Sequence, residues 1–206
     1  MLEAQDQHGG PFVGRAVTAE ALRRGHAVTP VVRDLARHRD LPTAVRGDVT
    51  EAREVAAIVR GHDAAVNAVS PASGPAELAR LDLDPAFFVR ASDALIGSGV
   101  PRIVAIGLFS NLDGAELPPA PFRAFAAAHA AGLDRLRESG TDWAMLTPPA
   151  TLLVDSPRLG QYRLGTETAE AAASGILSYA DLAVAVLDEI DNPTLHRTRA
   201  TVFNNA

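Results

Sequence analysis

The chain of 206 residues predicts an α/β protein built on a doubly wound, mainly parallel sheet. Two observations carry that expectation. Short runs such as "HAVTPVVRD", "DAAVNAVS" and "PRIVAIGLFS" alternate with segments whose apolar residues recur at helical spacing. Several of those runs are apolar at successive positions, as strands are when helices cover both faces of a sheet. Crossovers joining parallel strands of one sheet are right-handed, so each intervening helix packs back onto the sheet.

Residues 12 to 25, "FVGRAVTAEALRRG", place Val13, Val17, Ala21 and Leu22 on one helical face and close on Gly25 as a stop signal. "HAVTPVVRD" then reads as a strand, and a further strand centres on Ala44 to Asp48. Thr50 precedes a helix in "EAREVAAIVRG", where early acidic side chains suit the helix dipole and Gly61 ends the element. "DAAVNAVS" is a buried strand, followed by a loop of Pro, Gly and Ser near residues 70 to 76. "DPAFFVRASDALIGSGV" is a helix with Pro85 near its start, and "PRIVAIGLFS" is the clearest strand of the chain. A helix over 121 to 139 leads into "DWAMLTPPATLL", a strand that two prolines terminate. The tail holds a Gly-punctuated segment, "RLGQYRLG", a helix from about Tyr179 to Ile190 and a last strand, "RATVFN".

Composition sets limits on chemistry. Apolar residues make up 47% and charged residues 21%, enough to bury a core and unlike a disordered chain. A net charge of -6 supplies no basic field for a phosphate backbone, so nucleic acid is not an expected partner. No apolar run is long enough for a membrane span and no secretory leader is evident, so the expected location is cytoplasmic. The absence of cysteine excludes disulfides and thiolate nucleophiles. All 19 basic side chains are arginine, which removes Schiff-base chemistry, because guanidinium does not deprotonate near neutral pH. The histidines and carboxylates show no metal-ligand spacing, and His38, His62 and His196 read as surface histidines.

The order of elements, with "FVGRAV", "VVRD", "RGDVT", "GHDAAVNAVS", "VPRIVAIG" and "TDWAMLTPPATL", resembles the atypical short-chain dehydrogenase/reductases, and within them the NmrA-like and biliverdin-reductase-B-like group. The resemblance runs from about Phe12 to the C-terminus. It implies one Rossmann-like domain over 1–206, an NADP(H) cofactor and a small-molecule substrate, with residues 150–206 as a small segment covering that substrate. Monomer and homodimer are both compatible with it. The group's glycine pattern, G-x-x-G-x-x-G, puts its third glycine on Gly14 and its first two on His8 and Pro11. Gly10, Phe12, Val13 and Gly14 are then the residues left to meet a pyrophosphate, while Pro11 has no N–H to offer. By the same resemblance Arg33 receives a 2′-phosphate, Asp48 lies near adenine, Ser70 and Gly107 contact the cofactor, and Pro148 and Pro149 meet the nicotinamide. Each has a plainer reading: a solvated strand end, a turn, a loop residue, a strand stop.

Upstream of that loop the sequence is polar. "MLEAQDQ" carries Glu3, Gln5, Asp6 and Gln7 where a central strand is apolar on both faces. The favoured expectation is a sheet whose first strand is missing; an irregular short strand or a different gene start are the alternatives. For catalysis, the resemblance implies a Tyr-x-x-x-Lys pair, and the two positions hold Phe125 and His129. His129 is the acid/base candidate, with packing among alanines as its alternative. Ser110 and Asn111, just past the clearest strand, are placed to polarise a carbonyl or to cap the loop. Tyr162 reads as substrate closure or as hydrophobic cover. The expected function is an NAD(P)H-dependent reductase of a small organic metabolite. A cofactor-independent isomerase, cyclase or dehydratase, and a non-enzymatic NADP-sensing protein, stand as alternatives.

Overall fold

The computed structural model describes residues 2–3, 13–41, 43–72, 74–150, 153–169 and 175–204. Among these, eight strands form one sheet: β1 (Leu2–Glu3), β2 (Val31–Val32), β3 (Val45–Arg46), β4 (Ala64–Ala68), β5 (Arg102–Ile106), β6 (Asp142–Thr147), β7 (Arg163–Leu164) and β8 (Thr198–Phe203). Their order is β3-β2-β1-β4-β5-β6-β8-β7, parallel throughout except for β7. Six helices accompany them: α1 (Val13–Arg23), α2 (Ala52–Ile58), α3 (Pro75–Leu78), α4 (Phe87–Gly97), α5 (Arg123–Glu138) and α6 (Tyr179–Asp191). The chain runs outward from β1 through β2 to β3, then returns to β4 on the other side. That reversal opens a crevice beyond the C-terminal ends of β1 and β4, where open α/β sheets bind ligands.

The expectation of a missing first strand is corrected. Leu2–Glu3 fills the central slot, with Leu2 beside Val31 on one side and beside Asn67 on the other. A strand of two residues in that slot has a ladder partner on each flank, so its backbone groups are paired whatever the polarity of the sequence that follows. Of the three readings of the N-terminus, the short irregular strand is the one found.

Alternate residues of the central strands divide between two cores. Ala65, Ile103, Trp143 and Met145 face α2, α4 and α5, where Val55, Leu95 and Leu133 meet them. Val66, Val104 and Leu146 face α1 and α6, where Val17, Leu182 and Val186 close the layer. Each fully buried side chain of this size stabilises the fold by about 1.5–3 kcal/mol. Buried charge ties the ends together. The Arg102 guanidinium donates to the Glu189 carboxylate at 2.9 Å, to the Glu189 carbonyl at 2.7 Å and to Asp142 at 2.6 Å, joining the start of β5 to the last turns of α6. Ser178 caps α6 by accepting from Asp181 N–H at 2.9 Å, and the Asp181 carboxylate takes the N–H groups of Leu159 and Gly160 at 2.9 and 2.7 Å.

Two short elements were not expected: α3, within the loop after β4, and β7, which pairs antiparallel with β8 inside "RLGQYRLG". Thr50 does not cap α2; the cap position is Glu51, whose side chain makes no capping bond. His38, expected at the surface, is buried and accepts from Arg15 Nη2 at 3.1 Å.

The packing of α4 on α5 turns on Gly132, which presents its bare Cα to Phe88. A Cβ there would lie 2.7 Å from Phe88 Cβ and 3.0 Å from the Phe88 carbonyl oxygen, so the helices would have to part. Gly132→Ala is therefore expected to lower stability by about 1–3 kcal/mol despite the better helix propensity of alanine. Urea denaturation checks it, and a variant as stable as the parent would refute the close approach.

Candidate functional site

Past the C-terminal ends of β4 and β5 the connecting segments 70–78 and 108–125 enclose a cavity of about 470 Å³. That is the size of a small-molecule site. The first wall is shaped locally: Ser70 Oγ donates to the Ala72 carbonyl at 2.7 Å, and Pro75 starts the single turn α3 that brings Leu78 to the cavity. The second wall begins with a 3₁₀ turn over Phe109–Asn111 and ends with Phe122 and Phe125 at the start of α5. Asn111 Nδ2 donates to the Ala126 carbonyl at 3.1 Å, so the expected substrate contact is a brace between loop and helix. Ser110 lines the cavity, and its Oγ is buried without a hydrogen-bond partner among the described residues.

Arg199 fixes this second wall from below. It lies in β8, beside Met145 of β6, with a buried side chain. Its guanidinium donates to the Asn111 carbonyl, to Asp113 Oδ1 at 3.1 Å and to Glu167 Oε2 at 3.3 Å. An arginine followed by Ala200, Val202 and Phe203 in the last strand was the signal in the sequence that this residue holds something. What it holds is distant in sequence and was not readable.

His129 belongs to a second, much smaller cavity of about 20 Å³, room for one water, whose lining includes Asn67, Phe88 and Ile106. Its Nε2–H donates to the Ile106 carbonyl at 3.2 Å, which leaves Nδ1 as a bare acceptor without a partner. Burial pushes its pKa down to about 4, against a smaller opposing effect of the Ile106 carbonyl. The imidazole is neutral at physiological pH, with no proton on Nδ1. Phe125, one turn earlier, lines the large cavity instead, its ring centroid 6.0 Å from that of His129. The two positions expected to carry a Tyr-Lys pair are neighbours that open to different cavities. His129, the acid/base candidate, lines the small cavity and is not among the described residues that line the large one, and desolvation among Phe88, Leu133 and Met145 disfavours its charged form.

On the nucleotide side, Gly14 is buried in the first turn of α1 with Val13, and Thr18 Oγ donates to the Gly14 carbonyl at 2.9 Å. Gly10 and Phe12 lie outside the described residues. Arg33 directly follows β2, partly buried, with no hydrogen bond or ion pair to a described residue. Asp48 is engaged in its own turn, accepting from Thr50 N–H at 2.9 Å and Thr50 Oγ at 2.7 Å. Gly107 is required by packing, since a Cβ there would stand 2.0 Å from Thr147 Oγ1. Pro148 and Pro149 follow β6 at the same edge of the sheet. Tyr162 donates to Asp188 at 2.8 Å and packs on the α1–α6 core, which makes it cover for that core. The residues described beyond 150 supply β7, α6 and β8, and the described residues that line the large cavity belong to the segments after β4 and β5.

The depressed pKa of His129 has a stability consequence. The unfolded chain takes up a proton near pH 6.5 and the folded chain only near 4, so this contribution is whole above pH 6.5 and is lost as pH falls between those values. From neutral pH to pH 5, a range in which most carboxylates stay ionised, the loss attributable to His129 is about 2 kcal/mol. Urea denaturation of the parent and of His129→Gln across that range measures it. Parallel pH profiles for the two would contradict the buried, neutral imidazole.

Comparison with known proteins agrees with this geometry. The family model described as NAD(P)H-binding matches residues 10–193. The YwnB protein of Bacillus subtilis (strain 168) is 30% identical over 212 residues, covering 94% of each chain. A solved structure from Burkholderia pseudomallei is 27% identical with a TM-score of 0.74, covering 99% of this chain and 100% of that one. ChuY, an anaerobillin reductase from Escherichia coli O157:H7, is 19% identical with a TM-score of 0.71 over the whole of both chains, a likeness of fold. No helix among the described residues is long and apolar enough to cross a membrane. The match over residues 10–193, on a sheet whose switch point lies between β1 and β4, means that the chain belongs to the NAD(P)H-binding family.

Proposed function

We propose that the protein is an NADP(H)-dependent reductase of a small organic carbonyl compound. The observation that carries this reading is an apolar cavity of about 470 Å³, with Ser110 in its wall, beside the crevice of an NAD(P)H-binding sheet. Ser110 Oγ has no hydrogen-bond partner among the described residues and is closed to water, and rotation about χ1 turns it to a ligand oxygen in the cavity. The described residues fit the nucleotide. Gly14, in the first turn of α1, carries no side chain, and Arg33 offers a guanidinium with no ion pair to a described residue. The reductase named among the relatives supports the direction of the reaction.

When bound, the reduced nicotinamide supplies a hydride. Ser110 O–H donates to the substrate carbonyl oxygen, drawing electron density away from the carbon that accepts the hydride. The proton that completes the alcohol comes from solvent, because His129 Nδ1 carries none and Phe125 has none to give. Phe122, Phe125 and Leu108 keep the carbonyl in a site of low polarity, where the Ser110 hydrogen bond counts for more than in water. Arg199, through Asn111, holds the Ser110 turn in place before substrate arrives. Chemistry that consumes reduced nucleotide belongs with the pool that regenerates it, in the cytoplasm.

Nucleotide fluorescence titration and NADPH oxidation with 2-naphthaldehyde test the proposal. The parent is expected to bind NADPH saturably and to oxidise it only when the aldehyde is present; no saturable binding at millimolar nucleotide would end the reading. Arg33→Ala is expected to weaken NADPH about tenfold, or ~1.4 kcal/mol, and to leave NADH unchanged. Ser110→Ala is expected to lower kcat by on the order of a hundredfold with NADPH affinity intact. Equal effects of Arg33→Ala on both nucleotides would remove its assignment to the 2′-phosphate.

A further inference from the structure

We infer that the large cavity selects an uncharged, predominantly apolar substrate and rejects anionic ones. The inference rests on the proposed function for the word substrate, and on the cavity itself for its chemistry. The walls are supplied by Leu78, Leu108, Phe122 and Phe125, and among the described residues the only polar side chains of the lining are Ser70 and Ser110. Ser70 is satisfied within its own turn, donating to the Ala72 carbonyl and accepting from Ala72 N–H at 3.3 Å. Among the described residues that leaves the Ser110 hydroxyl, which rotation about χ1 turns to a single ligand carbonyl oxygen.

Among the described residues, no arginine, histidine, aspartate or glutamate lines the cavity. The nearest cation in sequence, Arg123, is exposed and turned onto the Pro118 carbonyl at 3.3 Å. A carboxylate, sulfonate or phosphate drawn into these walls would lose its water and find no counter-charge, whereas an aryl or alkyl body gains by burial. Arginine is the one basic residue this chain uses, and it is placed elsewhere: Arg24, Arg102, Arg158 and Arg199 are all committed to internal carboxylates. The reaction on such a substrate balances simply. Hydride adds to the carbonyl carbon, the C=O π pair moves to oxygen, oxygen takes a solvent proton, and an uncharged alcohol leaves with oxidised NADP.

Two fluorescent probes that differ by one charge test the selection without nucleotide. N-phenyl-1-naphthylamine is uncharged, and 8-anilinonaphthalene-1-sulfonate carries the same two ring systems with a sulfonate. The uncharged probe is expected to bind saturably, at least tenfold tighter than the sulfonate, and to be displaced by 2-naphthaldehyde. Leu78→Arg, placed in the wall and confirmed folded by circular dichroism and thermal melting, is expected to reverse the preference. Equal affinity for the two probes, or a ratio unmoved by Leu78→Arg, would overturn the inference. NADPH titration run alongside separates the two claims. Charge selection without NADPH binding defeats the reductase and keeps the cavity's ligand class. NADPH oxidation that is as fast with 6-formyl-2-naphthoate as with 2-naphthaldehyde keeps the reductase and defeats the charge selection.

Discussion

Arg199 sits in β8 with its guanidinium out of water, and its hydrogen bonds reach the Asn111 carbonyl, Asp113 and Glu167. Those contacts decide where the turn after β5 lies, and that turn carries Ser110. Around a buried cation the arrangement is specified tightly, because an unpaired guanidinium in the core would cost several kcal/mol. The loop has one position in which that charge is met. Ser110 therefore keeps its place in the cavity wall although its own hydroxyl has no protein partner. The cavity, the free hydroxyl and the proposed chemistry all depend on a residue in a different strand, far along the chain.

The same economy of charge runs through the scaffold. A chain with arginine as its only strong base uses the forked guanidinium where two or more acceptors must be joined at once. Glu20 in α1 receives Arg23, Arg24 and Arg158, and the Arg23 hydrogen bonds hold its carboxyl well below the usual carboxylate range against the opposing effect of burial. Arg24 continues to Asp188 and Asp191, which locks α1 against α6. Arg102 and Glu189 do likewise for β5 and the end of α6. These clusters stabilise the layers around the sheet, and the large cavity is left without charge.

Sequence periodicity located most of the fold. Helices α1, α4, α5 and α6 and strands β4, β5, β6 and β8 appear within a few residues of their expected limits, because burial on one or both faces leaves a mark in the order of residues. The elements that were missed leave no such mark. β1 is two residues long and is held by its ladder partners, and β7 is a two-residue edge strand with both side chains exposed. At the site, sequence position brought Ser70, Ser110 and Phe125 to the right edge of the sheet. It did not reveal that Asn111 braces α5 or that Tyr162 belongs to the opposite core, since both depend on partners remote in sequence. His38 was misjudged for the same reason: its burial is set by Arg15, a helix away.

The residues at 125 and 129 are best understood together. A lysine at 129 would put an ammonium into a water-sized cavity lined by Phe88, Ala105 and Met145, with no carboxylate lining it. A neutral imidazole that donates to the Ile106 carbonyl fits the same space. Without an ammonium nearby, a tyrosine at 125 would keep an ordinary phenol pKa and make a poor proton source, and its hydroxyl would add a polar group to an apolar wall. Phenylalanine at 125 forgoes that proton and completes the wall beside Phe122 and Leu108. With Phe125 and His129 in place of a Tyr-Lys pair, the described lining of the large cavity carries no charge, and in the proposed reaction Ser110 meets the substrate oxygen while solvent supplies the proton.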